Sequence, residues 1–227
     1  PDTLRSLVTQ TFASWEAIVV DDASSDSTAK VADEFVERDP RFRVLREPHR
    51  GEGGARNIGI AAARTDKLLF LDADDWILPT HLEHTVGVLD RRADIDVACV
   101  GWARATPRGG LLEESFHPDL ERPFDVLARF NPFAVHSCVI RRALVERVGT
   151  FEPTLATCAD WDFWQRVART GARFDVDWTV RAMYRLVPQS ASNRPLQLLA
   201  DGLAVIGRGH RSDPRVREPA AEHRAGR

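Results

Sequence analysis

Cysteine is scarce in this 227-residue chain: Cys99, Cys138 and Cys158 are odd in number, far apart and without a CxxC spacing. That argues against both a disulfide framework and a zinc site, and suits a reducing cytoplasm. Charge imbalance is equally slight. A net charge of -3 gives no bulk electrostatic reason to expect nucleic acid or an anionic membrane as partner. No run approaches the roughly 20 apolar residues of a membrane span, and no signal peptide precedes the first strand. The expectation is a cytoplasmic protein without a transmembrane segment, with peripheral attachment at the inner membrane face left open. Lysine is nearly absent, only Lys30 and Lys67 among 31 basic residues, a bias ascribed to genomic GC pressure. The first residue is Pro1 rather than methionine, which suggests that an upstream segment has been removed.

What is present is enough apolar residue, 43%, for one sizeable domain. The β-branched run at 16–20 ends in Asp21 and Asp22, and a Ser/Asp cluster then opens a helix to about Arg38. Strands are predicted at Phe42–Leu45 and Lys67–Leu71, with a helix over Ala55–Ala63 after the glycine-rich residues 51–54. A helix near Pro79–Arg91 and a strand at Val97–Ala103 follow. Residues 104–135 are turn-rich and predict a hairpin and a short helix. A strand at Cys138–Arg141, helices at Arg142–Val148 and Asp160–Thr170, and a last strand ending at Tyr184 complete the pattern. Strands alternating with helices predict an α/β fold with a mostly parallel sheet and a ligand crevice at the strands' carboxyl ends. The polar, arginine-rich residues from about 207 to 227 predict a disordered tail.

The stretch "LLFLDADDW" (68–76) packs three carboxylates into four positions at a predicted strand end. Side chains two apart share a face, so Asp72 and Asp74 can grip one hard cation, whose shell phosphate oxygens complete. Competing readings are a helix cap, an EF-hand loop and a phosphatase strand end. One aspartate suffices for a cap, the sixth EF-hand position is Ile77 rather than glycine, and Trp76 stands where the phosphatase pattern has Thr or Val.

"WEAIVVDDASSDST", "GGARNIGIAAARTDKLLFLDADD", "RRALVERVGTFEP" and "DWDFWQRVARTG" stand in the order and approximate spacing seen in family 2 glycosyltransferases of the GT-A fold. The resemblance covers residues 7 to about 192. It implies a Rossmann-like nucleotide-binding sheet and a smaller acceptor-side region, here residues 1–103 and 104–206. It implies that Asp22 bonds the nucleotide base, usually uracil, and that Arg56 lines the same pocket. Asp72 and Asp74 resemble the DxD that binds ribose, metal and diphosphate, with Asp74 the direct ligand of Mg2+ or Mn2+. Asp160 matches the family's general base. The implied activity is inverting transfer from a nucleotide sugar, most often a UDP-sugar, to an acceptor hydroxyl on a glycan, a lipid-linked carrier or a small molecule.

Three departures stand beside the resemblance. Nothing before "PDTLRSL" supplies the family's opening strand, which predicts unpaired sheet edges. Ala159 replaces the acidic neighbour of the base, and Val187 replaces a histidine that assists the metal or diphosphate in some relatives. A rival reading is therefore a binding or scaffold protein of glycosyltransferase type that lacks turnover. Several residues stay structural in expectation: "RGEGG" at 50–54 as a flexible loop, Trp161, Phe163 and Trp164 as core aromatics, and His136 without assigned role.

Overall fold

The computed structural model describes residues 1–115, 117–187 and 194–217. After helix α1 (Asp2–Val8), strand β1 (Ala17–Asp21), helix α2 (Thr28–Arg38) and strand β2 (Phe42–Arg46) form a parallel βαβ unit. Phe42 is the hub of that unit, with Trp15 and Phe35 edge-on at 5.3 and 5.4 Å. Helix α3 (Gly51–Ala62) leads to β3 (Lys67–Leu69), β4 (Trp76–Ile77) and helix α4 (His81–Arg91). Then follow β5 (Val97–Ala105), β6 (Leu111–Glu114), α5 (Pro123–Leu127), β7 (Cys138–Arg141), α6 (Arg142–Val148), α7 (Ala159–Arg169), β8 (Phe174–Arg185) and α8 (Pro195–Gly209).

The elements fall close to their predicted positions, but the sheet does not run mostly parallel. β1 and β2 pair only with each other among the described residues, and the remaining strands form a second sheet in the order β3-β7-β5-β8-β4, with β6 on β5. Within it only β5 and β8 are parallel; the other four pairings are antiparallel. The run Cys138–Arg141 is apolar on both faces, which records burial but not direction. β7 arrives from the irregular segment rather than from a crossover helix, so nothing forced it parallel.

β5 is the spine. Its residues Val97, Cys99, Val100 and Ala103 are at most 1% exposed. Gly101 sits where β8 bulges across it, and a Cβ there would lie 2.0 Å from the Trp178 carbonyl oxygen, so only glycine fits. One face of this sheet carries the main core, in which Phe151 and Phe163 stack at 4.5 Å and Phe70 meets both edge-on at 4.8 and 5.9 Å. Phe163 and Trp164 are fully buried, and the Trp161 indole donates to the Leu127 carbonyl at 2.7 Å, so these aromatics build core as expected.

Two expectations change. The glycine-rich residues 51–54 are no loop but the first turn of α3, made possible by Gly51 at φ +74°. Residues 208–217 do not form a disordered tail; residues 218–227 lie outside the described ones. Asp162 is fully buried and meets Arg166, Arg208 and Arg215 at 3.0, 2.7 and 2.9 Å. Burial alone would push its carboxyl up, but these guanidiniums hold it below the usual carboxylate range. Composition reads such arginines as solvated, whereas here they neutralise a buried acid.

Candidate active site

Of the candidate aspartates, Asp72 at the strand end and Asp160 on α7 lie in the field of one arginine. Arg56 sits on α3, 11% exposed, and donates to Asp72 Oδ1 at 2.6 Å, with Glu52 Oε2 at 3.5 Å and the Phe151 ring 5.3 Å below its guanidinium. Burial alone would lower its affinity for a proton; Asp72, Asp160 and Glu52 outweigh that and hold it charged. The same four groups thus share one field, linking the strand end at 72–74 to the first turn of α7, where Asp160 lies.

Asp160 is held by Asn131, whose Nδ2 donates to Oδ2 at 3.0 Å while its own Oδ1 accepts from Phe133 N at 3.2 Å. Burial pushes the Asp160 carboxyl above the usual range, and Arg56 acts in the opposite sense. Two residues earlier, Cys158 adopts φ +56°, a left-handed conformation unusual for any side chain but glycine. The only other non-glycine residue in that region among those described is Ala23, next to Asp22. Backbone strain therefore flanks both outer ends of the aspartate set.

Asp22 is placed differently from a free base reader. Its two oxygens accept from the amides of Arg50 at 2.6 Å and Gly51 at 2.8 Å, and His49 Nδ1 stands 2.9 Å from Oδ2. It therefore caps the start of α3, the helix that carries Arg56. Oδ1, with Arg50 N as its one partner among the described residues, retains a lone-pair direction, so the cap and a further acceptor role are compatible.

The Asp74 carboxylate differs from those of its neighbours in having no hydrogen bond or ion pair with another side chain among the described residues. Burial pushes its carboxyl up, as does Asp72. A divalent cation would relieve that repulsion, and two carboxylates are what magnesium takes when phosphate oxygens supply the rest. Among the described residues no group of three or more His, Cys, Asp and Glu could hold a metal alone. The chemistry of Asp72 and Asp74 fits a hard cation whose remaining ligands are phosphate oxygens.

Asp75, 1% exposed, faces inward. Its Oδ1 accepts from Arg185 N at 2.7 Å, and Arg185 Nε donates to the Asp74 carbonyl at 2.7 Å, which pins the acidic loop to the end of β8. Asp75 Oδ2 lies 3.1 Å from Nδ1 of the fully buried His136, off the axis of a hydrogen bond. Burial raises the Asp75 carboxyl to about 8 and lowers the imidazole of His136 to about 4. His81, whose Nε2 is 3.0 Å from the His136 carbonyl, is lowered to about 3 by burial. All three are neutral at pH 7. His136 is thus a core histidine beneath the acidic loop.

Glu52, Asn131 and Phe151 are parts of the site that the sequence did not single out. Asn131 stood in an "NPF" stretch that reads only as a turn; Glu52 and Phe151 lay inside motifs without a role of their own. Val187, two residues past β8, is described, whereas Pro188–Ser190 of the "YRLVPQS" stretch lie outside the described residues.

The family described as Glycosyl transferase family 2 matches residues 1–149, which includes Asp22, Arg56, Asp72 and Asp74 but not Asp160. The succinoglycan biosynthesis protein ExoW of Rhizobium meliloti is 34% identical over 184 residues, covering 69% of this chain and 54% of that protein. The putative glycosyltransferase EpsH of Bacillus subtilis is 38% identical over 92 residues, 40% of this chain and 27% of that protein. Among solved structures, S. aureus TarS 1-349 in complex with UDP superposes with a TM-score of 0.73 at 19% identity, over 99% of this chain and 63% of that one. Its complex with UDP-GlcNAc gives 0.70 at 21% identity, over 85% and 56%. The fold is thus that of the GT-A neighbours. The chain spans only about a quarter to two thirds of the length of these proteins.

Proposed function

This chain belongs to glycosyl transferase family 2, and from that membership we propose that it moves a sugar from a nucleoside diphosphate to an acceptor hydroxyl with inversion. The single observation that carries the reading is Arg56, whose charge ties Asp72 of the acidic loop to Asp160 of α7. Donor-side and acceptor-side chemistry then meet at one guanidinium.

In this reading Asp160 takes the proton of the acceptor hydroxyl, and the hydroxyl oxygen bonds the anomeric carbon. The bond from that carbon to the diphosphate oxygen breaks, and the nucleoside diphosphate leaves with the electron pair. A carboxylate raised by burial, with Arg56 acting in the opposite sense, accepts a proton more readily than a free aspartate. Asp74 would hold Mg2+ or Mn2+, which when bound neutralises charge on the leaving diphosphate. Asp72 faces the ribose and diphosphate, and Asp22 the base. A uracil nucleotide is supported by the UDP and UDP-GlcNAc complexes of the structural neighbours.

The test is UDP release from UDP-GlcNAc by the wild type and Asp160→Asn, with UDP binding measured on both. The reading expects a loss of about 10²- to 10⁴-fold in release with binding kept. Equal release by the two proteins would contradict it, and UDP binding by a wild type without release would assign the chain to binding rather than turnover.

A further inference from the structure

Four of the nine large hydrophobic side chains exposed among the described residues lie on α8. Leu196, Leu199 and Leu203, 83%, 60% and 59% exposed, lie at i, i+3 and i+7 and so form one stripe. Gly207 continues it one turn on, with nothing within 4 Å of the Cβ position. The opposite face is fixed to the body. Asp201 accepts from Thr157 N and Oγ1 at 2.8 and 2.9 Å, Gly202 lies against the Trp161 ring, and Gly209 against Ala128. The stripe is therefore not a frayed helix but an apolar surface held outward by specific contacts.

Charge accompanies it. Between residues 194 and 217 the only acids, Asp201 and Asp213, are buried, at 7% and 6% exposed. Arg194, Arg211 and Arg217 are exposed and join no ion pair among the described residues. Leu203, Ala204 and Gly207 share a groove of about 520 Å³ with the exposed Arg211; Arg208 and Arg215, also in its lining, are paired with the acids Asp162, Asp213 and Glu152, so Arg211 is the unpaired cation beside the leucine stripe. The chain's overall charge of -3 conceals this patch.

A second copy of the chain would bring arginine against arginine around the leucines, whereas an anionic lipid surface meets both features at once. At 15 residues α8 is about 22 Å long, short of the roughly 30 Å of a bilayer core, so it can lie on a membrane but not cross it. We propose that the outer face of α8 seats on an anionic lipid surface, with Leu196, Leu199 and Leu203 entering the headgroup boundary and Arg194, Arg211 and Arg217 meeting lipid phosphates. The contacts of α8 to residues 157–161 would then fix the orientation of the acceptor-side end of the molecule. This inference is independent of the reaction proposed above.

The experiment is co-sedimentation of the chain with vesicles of phosphatidylcholine alone and of equimolar phosphatidylcholine and phosphatidylglycerol, with light scattering on the same protein. Expected is binding to the anionic vesicles only, weakened by salt and abolished by Leu199→Glu with Leu203→Glu. Arg211→Ser and Arg217→Ser should each lower partitioning about fivefold. These side chains are exposed, and an unchanged melting temperature confirms that the variants fold. Absence of binding to either vesicle, binding to both alike, or a dimer that the leucine variant dissociates would overturn the proposal.

Discussion

Arg56 Nη2 and Asp72 Oδ1 are 2.6 Å apart in a site where the guanidinium is 11% exposed. A buried charge needs such a partner, and removing one member leaves the other uncompensated. Asp160 and Glu52 share the same cation, so its loss is felt across the whole site.

Arg56→Met should therefore act twice. Loss of a charge-assisted bond of about 1.5–3 kcal/mol disorders Asp72 and weakens UDP binding at least about tenfold. Arg56 also holds the Asp160 carboxyl down against burial, so without it that carboxyl rises further. A base works deprotonated, and the acid limb of the rate against pH should move to higher pH. UDP release followed across pH checks this; an unmoved limb contradicts it.

Asn131→Ala removes the one side chain among the described residues that donates to Asp160, at 3.0 Å. The expected result is a fall in kcat of about 10- to 100-fold with KM for the donor little changed, since the donor-side residues are untouched. A change confined to KM would mean that Asn131 serves donor binding instead.

Stability against pH should report the buried trio. Asp75 binds its proton up to about 8 in the fold but only to about 4 when unfolded, so its contribution is complete below about 4 and declines as pH rises toward 8. His81 and His136, lowered to about 3 and about 4, act oppositely: the unfolded chain binds their protons below about 6.5, so stability falls as pH drops through that range. Two histidines outweigh one aspartate below 6.5, and Asp75 acts alone above it. These groups place a maximum near pH 6.5, and Asp75→Asn should flatten the decline between 6.5 and 8, worth up to about 2 kcal/mol. Denaturant melts at several pH values measure it; an undiminished decline in the variant contradicts it.

The legible features were those that repeat along the chain. Periodicity located α2, α7 and the β5 spine nearly to the residue, and the crowding of Asp72, Asp74 and Asp75 marked the site before any fold was considered. Strand direction was not legible, because the apolar run Cys138–Arg141 has no feature that distinguishes parallel from antiparallel burial. Nor was Asn131, since a turn residue 29 positions from its partner Asp160 has no local signature. Arg208 and Arg215 misled for a related reason. Their partner is the buried Asp162, and composition cannot tell a solvated guanidinium from one neutralising an acid in the core.

The most direct test of the account is calorimetric titration of UDP into the protein in Mn2+ and in EDTA, beside Asp74→Ala. Among the described residues the Asp74 carboxylate is left without a side-chain partner, so the account predicts metal-dependent binding that the substitution removes. UDP binding that is equal in EDTA and unchanged by Asp74→Ala would contradict it.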